Sequence, residues 1–192
     1  MNRPHGVVVA SKNPDKIAEV EAVLASLDPP IIVVPGHVWQ DVDETEDTLA
    51  GNALLKARAV VAATGHAAIA DDTGLEVDAL GGAPGVTTAR YAGEGATYEE
   101  NVDKMLRELG DVEDRSARFR TAVALVTPSG DVLVVEGVLE GVITRERRGD
   151  GGFGYDPIFE VDGRTLAEIP AGEKNQISHR ARALHALADT LG

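Results

Sequence analysis

The chain has 192 residues, no cysteine, and a formal net charge of −14 at pH 7. This length suits one domain, or one core with two lobes, and the lack of cysteine excludes disulfides and thiolate metal sites within the chain. The acidic balance argues against nucleic-acid binding, which needs a cationic surface. A small phosphorylated ligand is still compatible with it, because charges beyond about 8 Å are screened.

Strands and helices alternate in the first half of the chain. The first apolar run is too short for a signal-peptide core or a membrane span, so we expect a cytoplasmic protein with no membrane partner. Helical apolar spacing follows it, with Asn13 as a suitable N-cap and Pro14 in the first turn. The predicted elements are strands over residues 6–10, 31–34 and 67–70, a helix from Pro14, and a helix over residues 48–64 that ends at Gly65.

The sequence of the second half of the chain indicates further strands and two helices. Residues 81–95 are rich in glycine and are expected to form a loop. Thr97 and Glu100 have the spacing of a capping box, which opens a helix that Gly110 ends. Helices interspersed with strands indicate an α/β protein with a mixed sheet. The remaining predicted elements are strands over 119–126, 132–143 and 155–161 and a final helix over 178–191.

Cations stand at two predicted helix starts, where they oppose the helix dipole. Lys12 and Lys16 flank the first helix start, which is expected to present free backbone N–H groups. His179 and Arg180 follow Ser178, a suitable cap, at the last helix. Solvated lysines or a partly buried histidine would explain each case alone, but two cases in one chain favour a polyanionic ligand.

Acidic residues cluster at two places. Asp71 and Asp72 follow the third predicted strand, and an acidic loop covers residues 41–47. Adjacent acids at a strand end repel each other unless they share a cation, and Mg²⁺ commonly binds through one or two carboxylates plus phosphate oxygens. We expect a functional role for Asp71 and Asp72 at the carboxyl end of a strand, and simple solvation for most of the loop acids.

A glycine-rich stretch at residues 149–154 matches the pattern G-x-G-x-x-G. A dinucleotide-binding site needs a helix directly after this pattern, but Pro157 and two apolar residues follow instead, so we reject that interpretation. The glycines around Phe153 indicate a tight or mobile loop that offers the ring to a ligand, or an aromatic side chain that plugs the core.

Taken together, these motifs resemble those of the inosine/xanthosine triphosphate pyrophosphatase family of RdgB type. They occur in the same order and span nearly the whole chain. They are Ser11-Lys12-Asn13-Pro14-Asp15-Lys16; Asn52-Ala53 with Lys56; residues 70–75, 81–86 and 89–91; residues 141–146 and 151–159; and Lys174 with Ile177-Ser178-His179-Arg180.

The resemblance implies a fold and an activity. Members hydrolyse nucleoside triphosphates between the α and β phosphates, release pyrophosphate and a monophosphate, and require Mg²⁺. Their fold is an elongated, two-lobed α/β structure with a mixed central sheet flanked by helices and the nucleotide in the cleft between the lobes. A single pyrophosphatase domain over residues 1–192 and a homodimer are therefore expected.

The resemblance also assigns site residues. Asp72 would be the general base and would hold Mg²⁺ together with Glu44, for which Asp43 is the rival ligand, and Thr73 would contact the substrate. The phosphates would be bound by Ser11, Lys12, Asn13, Pro14, Asp15 and Lys16, and the nucleotide with its 6-oxo purine by Phe153, Gly154, Tyr155, Asp156, Lys174, His179 and Arg180.

The implied substrates are deaminated purine nucleoside triphosphates, namely ITP, dITP and XTP. A pyrophosphatase for pyrimidine triphosphates or one of broad specificity is the nearest alternative. A non-catalytic nucleotide-binding module and an acidic interaction module are alternatives outside the enzymes.

Overall fold

Eight strands and five helices, with short 3₁₀ turns between them, make up the part of the chain that the computed structural model describes, residues 2–192. The strands are β1 (Gly6–Val9), β2 (Ile32–Val33), β3 (Ala68–Val77), β4 (Pro84–Gly85), β5 (Ser116–Val126), β6 (Val132–Ile143), β7 (Phe159–Val161) and β8 (Arg164–Thr165). The helices are α1 (Pro14–Ser26), α2 (Leu49–Thr64), α3 (Tyr98–Leu109), α4 (Ala171–Ile177) and α5 (His179–Leu191).

The strands pair in the order β2-β1-β3-β5-β6-β7-β8, and β4 pairs with β3. Strand β1 is parallel to both β2 and β3, whereas β7 is antiparallel to β6 and β8. The sheet is therefore mixed, and helices connect its parallel strands, which confirms the predicted α/β class.

Local capping signals set the helix boundaries as predicted. The side chain of Asn13 accepts from backbone N–H groups of α1, and Thr48 does the same for α2. Thr97 and Glu100 form the capping box of α3, and Ser178 caps α5. Gly65 ends α2 in the left-handed region at φ 70°. None of the helices within residues 2–192 combines the length and apolarity needed to cross a membrane.

Strand β3 is longer than predicted. The sequence predicted a strand over residues 67–70 that ends at Asp71, but β3 continues to Val77, so Asp71 and Asp72 lie inside a strand. Aspartate and glycine disfavour strands, which is why the sequence indicated a stop. Buried cationic partners of both carboxylates outweigh that local preference.

Three further differences concern the second half of the chain. The predicted loop over residues 81–95 contains β4 and a 3₁₀ turn. The predicted strand over 155–161 is a 3₁₀ turn around Pro157 followed by the short β7. The sequence analysis missed β8 and α4, which have two and seven residues, because elements this short carry little periodicity.

The chain divides into two compact units. The first comprises residues 2–72, Thr121–Gly137 and Ser178–Gly192, and the second comprises Thr73–Arg120 and Val138–Ile177. In the first unit α1 packs against α5, and their apolar faces form a core with β1 and the first part of β3. Its large buried side chains include Leu24, Ile31, Ile69, Leu125 and Leu184.

The second unit has its own core, formed by α3 and by parts of β3, β5 and β6 with the segment around β7. Its large buried side chains include Leu75, Met105, Leu139, Ile158 and Phe159. The expectation of one domain over residues 1–192 stays a prediction.

Gly137 of β6 touches the backbone of α5 so closely that no side chain fits between them. A Cβ atom at this position would lie 2.2 Å from the carbonyl oxygen of His179 and 2.4 Å from the backbone nitrogen of Ala183. Gly137→Ala should therefore lower the free energy of unfolding by about 1–3 kcal/mol or more, measured by urea denaturation. Gly172→Ala in α4, where the space is open, should leave stability unchanged or slightly raise it, and equal midpoints for the two variants would contradict this account.

Candidate active site

The end of β1 brings the Ser11–Lys16 segment beside the acids of β3. Val9 is paired with Ile69, and the Ala10 N–H donates to the Ile69 carbonyl over 2.7 Å. Because β1 ends at Val9 while β3 continues, Asp71 and Asp72 lie past the end of β1. The edge beyond a strand end, next to a helix start, is a common ligand site in parallel sheets, and here it carries both carboxylates.

The turn between β1 and α1 is closed by its own side chains. Ser11 Oγ accepts from the Asn13 N–H over 3.2 Å, and Asn13 Oδ1 accepts from the N–H groups of Asp15 and Lys16 over 2.9 and 3.4 Å. Pro14 has no N–H group, so the expectation of free first-turn N–H groups at α1 is wrong. Side chains are what this turn offers to an anion.

A pocket of about 520 Å³ lies beside the turn, and Ser11 and Lys12 form part of its wall. Lys12 is exposed and forms an ion pair with the exposed Asp41 at 2.5 Å. An exposed pair of this kind contributes little to stability, so Lys12 can exchange Asp41 for another anion at small cost.

Asp71 contacts one predicted cation from each of the two helix starts, Lys16 and Arg180. Its Oδ2 atom lies 3.2 Å from Lys16 Nζ and accepts from Arg180 Nε and Nη2 over 3.2 and 3.0 Å. Arg180 Nη1 also donates to Glu19 of α1. Arg180 is only 2% exposed, so its charge is neutralised within the protein.

Asp71 and Arg180 shift each other's pKa. Burial alone would raise the pKa of Asp71, but Lys16 and Arg180 outweigh it and hold that pKa well below its usual value of 3.8. Burial alone would lower the pKa of Arg180, and the carboxylates of Asp71 and Glu19 raise it instead. Asp71 and Arg180 are therefore both charged at neutral pH.

Asp72 points to the opposite face of β3, as adjacent residues of a strand do. Its Oδ1 atom accepts from Lys56 Nζ over 3.3 Å, and its Oδ2 atom accepts from Asn52 Nδ2 over 3.3 Å. Lys56 Nζ also donates to Glu44 Oε1 over 2.8 Å, so one ammonium group joins two carboxylates. Asp71 and Asp72 therefore contact different cations, Lys16 and Arg180 for the first and Lys56 for the second.

Asn52 fixes both Asp72 and the loop that carries Glu44. Its Oδ1 atom accepts from the Glu46 N–H over 3.0 Å, and its Nδ2 group donates to the Glu46 carbonyl over 3.2 Å as well as to Asp72. Asn52 is buried and lies one helical turn before Lys56 on α2. These two residues therefore hold the acidic pair from one helix face.

The electrostatics of this pair differ from those of Asp71. Burial raises the pKa of Asp72, Lys56 opposes that shift, and the nearby Glu44 carboxylate adds to it. Burial lowers the pKa of Lys56, but Asp72, Asp71 and Glu44 together raise it. Lys16 also acts on the pKa of Asp72, which places the acid pair within electrostatic reach of the α1 helix start.

The donor set fits a hard divalent cation. Glu44 and Asp72 offer carboxylate oxygens, which Mg²⁺ prefers, and the bound ammonium of Lys56 marks a position that favours positive charge. Residues 2–192 contain no group of three or more histidine, cysteine, aspartate or glutamate side chains arranged to hold a metal. Mg²⁺ commonly completes its shell with water and phosphate oxygens rather than with protein ligands.

A second group of predicted residues lies within the second unit. Lys174 Nζ lies 2.5 Å from Asp156 Oδ2 and 4.9 Å from the centroid of the Phe153 ring. The Phe153 N–H donates to the same carboxylate over 2.8 Å. Phe153 is half-buried and tilted against Tyr98 at a centroid distance of 5.9 Å, so it does not plug the core.

The loop before Phe153 needs glycine. Gly152 has φ +69°, and a Cβ atom there would lie 2.0 Å from Asp156 Oδ2. Tyr155 is buried and donates through its hydroxyl to the Thr88 carbonyl over 3.0 Å. The loop therefore follows a defined path, and Phe153 within it is half-buried.

The predicted residues fall into two sets. Lys16, Arg180, Glu44 and Asp72 lie with the turn residues in the first unit, where His179 is also buried. Thr73 and the set from Phe153 to Asp156 with Lys174 lie in the second unit. Asp43 is exposed, whereas Glu44 is half-buried.

Asn52 and Lys56 belong to the motifs that carry the family resemblance, but no role was predicted for them, and no role was predicted for Glu19. The first two lie four residues apart, which places them on one helix face, and this spacing is the signal that could have predicted a shared role. Glu19 carries no such signal, because its partner Arg180 is 161 positions away.

A parallel strand edge with helix-start lysines beside an acid pair is typical of enzymes that act on phosphorylated ligands. The model of the Ham1 family matches residues 7–190. The dITP/XTP pyrophosphatase of Bacillus licheniformis is 47% identical, covering 96% of this chain and 97% of that protein. The protein of the same name from Synechococcus sp. is 50% identical, covering 96% of this chain and 89% of that one.

Solved structures of similar proteins point to the same family. A HAM1 protein from Coxiella burnetii has a TM-score of 0.83 at 44% identity, covering 97% of this chain and 98% of that one. A nucleoside-triphosphatase / dITP/XTP pyrophosphatase from Mycobacterium abscessus has a TM-score of 0.71 at 46% identity, covering 95% and 98%. This chain belongs to the Ham1 family, which confirms the resemblance seen in its sequence.

Asp71→Asn should destabilise the protein strongly, because it leaves the buried Arg180 guanidinium with one carboxylate fewer. We expect the free energy of unfolding to fall by about 3–5 kcal/mol, measured by urea denaturation at pH 7. The difference in the free energy of unfolding between parent and variant should be largest above about pH 4 and should shrink as the pH falls further. This direction follows because the lowered pKa of Asp71 makes the unfolded chain take up the proton first.

The matched control for this variant is Asp41→Asn, which removes the exposed ion pair with Lys12. Its cost should stay below about 1 kcal/mol. Equal urea midpoints for Asp71→Asn and the parent protein would show that the buried cluster does not stabilise the fold.

Proposed function

We propose that this protein hydrolyses the deaminated purine nucleoside triphosphates ITP, dITP and XTP to the monophosphate and pyrophosphate. Near full-length relatives that bear the name dITP/XTP pyrophosphatase support the substrate class. The observation that supports the chemistry is the pair of Glu44 and Asp72 carboxylates around the Lys56 ammonium group, with Lys16 close enough to oppose the rise that burial causes in the pKa of Asp72.

The β1–α1 turn is our candidate for the triphosphate site. A triphosphate carries about four negative charges, and its hydrolysis requires these charges to be neutralised. Ser11 supplies a hydroxyl, Lys12 an exposed ammonium, and Lys16 an ammonium held by Asp71. Since Asn13 already occupies first-turn N–H groups, the lysine side chains would supply most of the binding charge.

Glu44 and Asp72 are our candidates for binding a divalent cation. Their geometry favours Glu44 over Asp43, because Glu44 shares the Lys56 ammonium with Asp72 whereas Asp43 is exposed. Bound Mg²⁺ would supply charge neutralisation for the phosphates and for the pyrophosphate leaving group.

Asp72 is also the candidate general base. Burial raises the pKa of Asp72, which makes it a better proton acceptor than an ordinary aspartate, and Asn52 fixes the direction of its Oδ2 atom. Asp72 would accept a proton from the attacking water while the water oxygen bonds to phosphorus. The P–O bond to the bridging oxygen then breaks, and pyrophosphate leaves.

Base recognition is assigned to Phe153, Lys174, His179 and Arg180, with the neighbouring residues Gly154, Tyr155 and Asp156. Phe153 offers a partly accessible ring, and Lys174 is held over it by Asp156. Reading a 6-oxo group requires a hydrogen-bond donor, which a backbone N–H group near Phe153 can supply; the expected donor Arg180 is buried and already donates to Asp71 and Glu19. The 6-amino group of adenine would leave such a donor unpaired.

The cellular setting belongs to the same proposal. A cytoplasmic homodimer that removes deaminated nucleotides from the precursor pool agrees with the family resemblance. Activity on pyrimidine triphosphates, or binding without hydrolysis, is the alternative that the experiments below would reveal.

Asp72→Asn should lower kcat for ITP by at least about 100-fold, because an amide cannot accept the proton of the attacking water. The measurement is pyrophosphate release with Mg²⁺ in excess. Asp103→Asn, which removes an exposed ion pair with Arg147, should behave like the parent. An Asp72→Asn variant with parental turnover would rule out this assignment.

The parent protein should prefer ITP to ATP by about 5- to 150-fold in kcat/KM, which corresponds to about 1–3 kcal/mol for an unpaired donor. A pyrophosphate-release assay across ITP, dITP, XTP and the common purine and pyrimidine triphosphates measures this ratio. The assay is run with and without Mg²⁺, and activity should depend on the metal. Equal efficiency on ATP and ITP would contradict the proposed specificity.

A further inference from the structure

The ammonium group of Lys56 occupies the space between the carboxylates of Glu44 and Asp72. Nζ lies 2.8 Å from Glu44 Oε1 and 3.3 Å from Asp72 Oδ1, and the side chain is largely buried. Lys56 projects from the middle of α2, where its position is fixed by the helix rather than by a loop. A charged side chain therefore stands where the two acids converge.

The two acids need a positive charge between them. Asp72 is buried, and Glu44 adds to the energy of ionising it, so the carboxylates repel each other across this space. Glu44 lies in the segment between β2 and α2, which has no regular secondary structure around it. The hydrogen bond from Lys56 ties the Glu44 side chain to α2.

We propose that Lys56 and the divalent cation compete for Glu44 and Asp72, so that Lys56 holds the two carboxylates in the unloaded protein and releases them when the cation binds. This inference rests on the proposed function, from which it takes the divalent cation. It assigns Lys56 the role of a positioning residue.

Lys56 and the divalent cation would compete because they would contact the same carboxylate oxygen atoms. Mg²⁺ binds oxygen at about 2.1 Å, whereas the ammonium nitrogen now lies at hydrogen-bond distance from the same oxygen atoms. A cation bound to both carboxylates would take the place of Nζ, and two positive charges at such short range would repel each other.

This competition would make cation binding depend on the nucleotide. Without a triphosphate, the cation must displace an ammonium group to gain two carboxylates, so its affinity is reduced. A triphosphate adds phosphate oxygens to the shell of the cation and offers a new anionic partner to positive groups nearby. The site would then load efficiently only when the substrate is present.

The test is the affinity of the protein for Mn²⁺ in the absence of nucleotide, measured by titration calorimetry and by the electron paramagnetic resonance signal of free Mn²⁺. Lys56→Met removes the ammonium group but keeps an unbranched side chain. We expect the Kd of this variant for Mn²⁺ to be tighter than that of the parent by about tenfold or more. Without metal its melting temperature should be lower, and Mn²⁺ should raise it more than in the parent.

Two further variants separate charge from packing. Lys56→Arg keeps a competing cation, so its Kd for Mn²⁺ should stay close to that of the parent. Lys104→Met removes the same charge at a position where the ammonium contacts the Tyr91 carbonyl and Glu108, and it should change the Kd by less than about twofold. Lys56→Gln replaces Lys56→Met if the latter does not fold.

The outcomes are distinct. A parent without measurable Mn²⁺ binding and a Lys56→Met variant that binds Mn²⁺ would support the inference. An unchanged or weaker Kd in Lys56→Met, or no binding in either protein, would overturn it. Failure of the proposed function would appear separately, as a lack of pyrophosphate release by the parent protein in the substrate panel.

Discussion

Two buried carboxylates that follow each other on one strand impose the main physical constraint on this protein. Asp71 and Asp72 point to opposite faces of β3, and each must be compensated where water is excluded. Lys16 and Arg180 compensate the first from α1 and α5, and Lys56 compensates the second from α2. Three helices are thereby fixed to one strand by charge as well as by apolar packing.

Features with a local cause could be predicted from the sequence. Asn13, Thr97 and Ser178 cap their helices as expected, because a cap depends only on the next three residues. The extension of β3 through Asp71 could not be predicted in this way. Its cause lies in partners from α1, α2 and α5, and Arg180 is 109 positions away from Asp71.

The site residues, too, could be predicted only where the cause is local in the sequence. The motifs identified Lys16, Asp72 and Arg180 as important, but nothing local indicated that Arg180 would be neutralised by Asp71 and Glu19. From the sequence alone, Lys16 and Arg180 were expected to bind an external anion. The structure adds that an internal carboxylate holds them first, so a ligand meets a preorganised cluster rather than loose charges.

The contacts of Asn52 determine which substitutions positions 46 and 52 can tolerate. The side chain of Asn52 bonds the N–H and the carbonyl of Glu46, which every residue except proline would provide. Position 46 can therefore change its side chain while the loop stays anchored, whereas position 52 needs a side chain with both a donor and an acceptor. At position 46 it is the backbone, not the side chain, that holds the loop in register with the acidic pair.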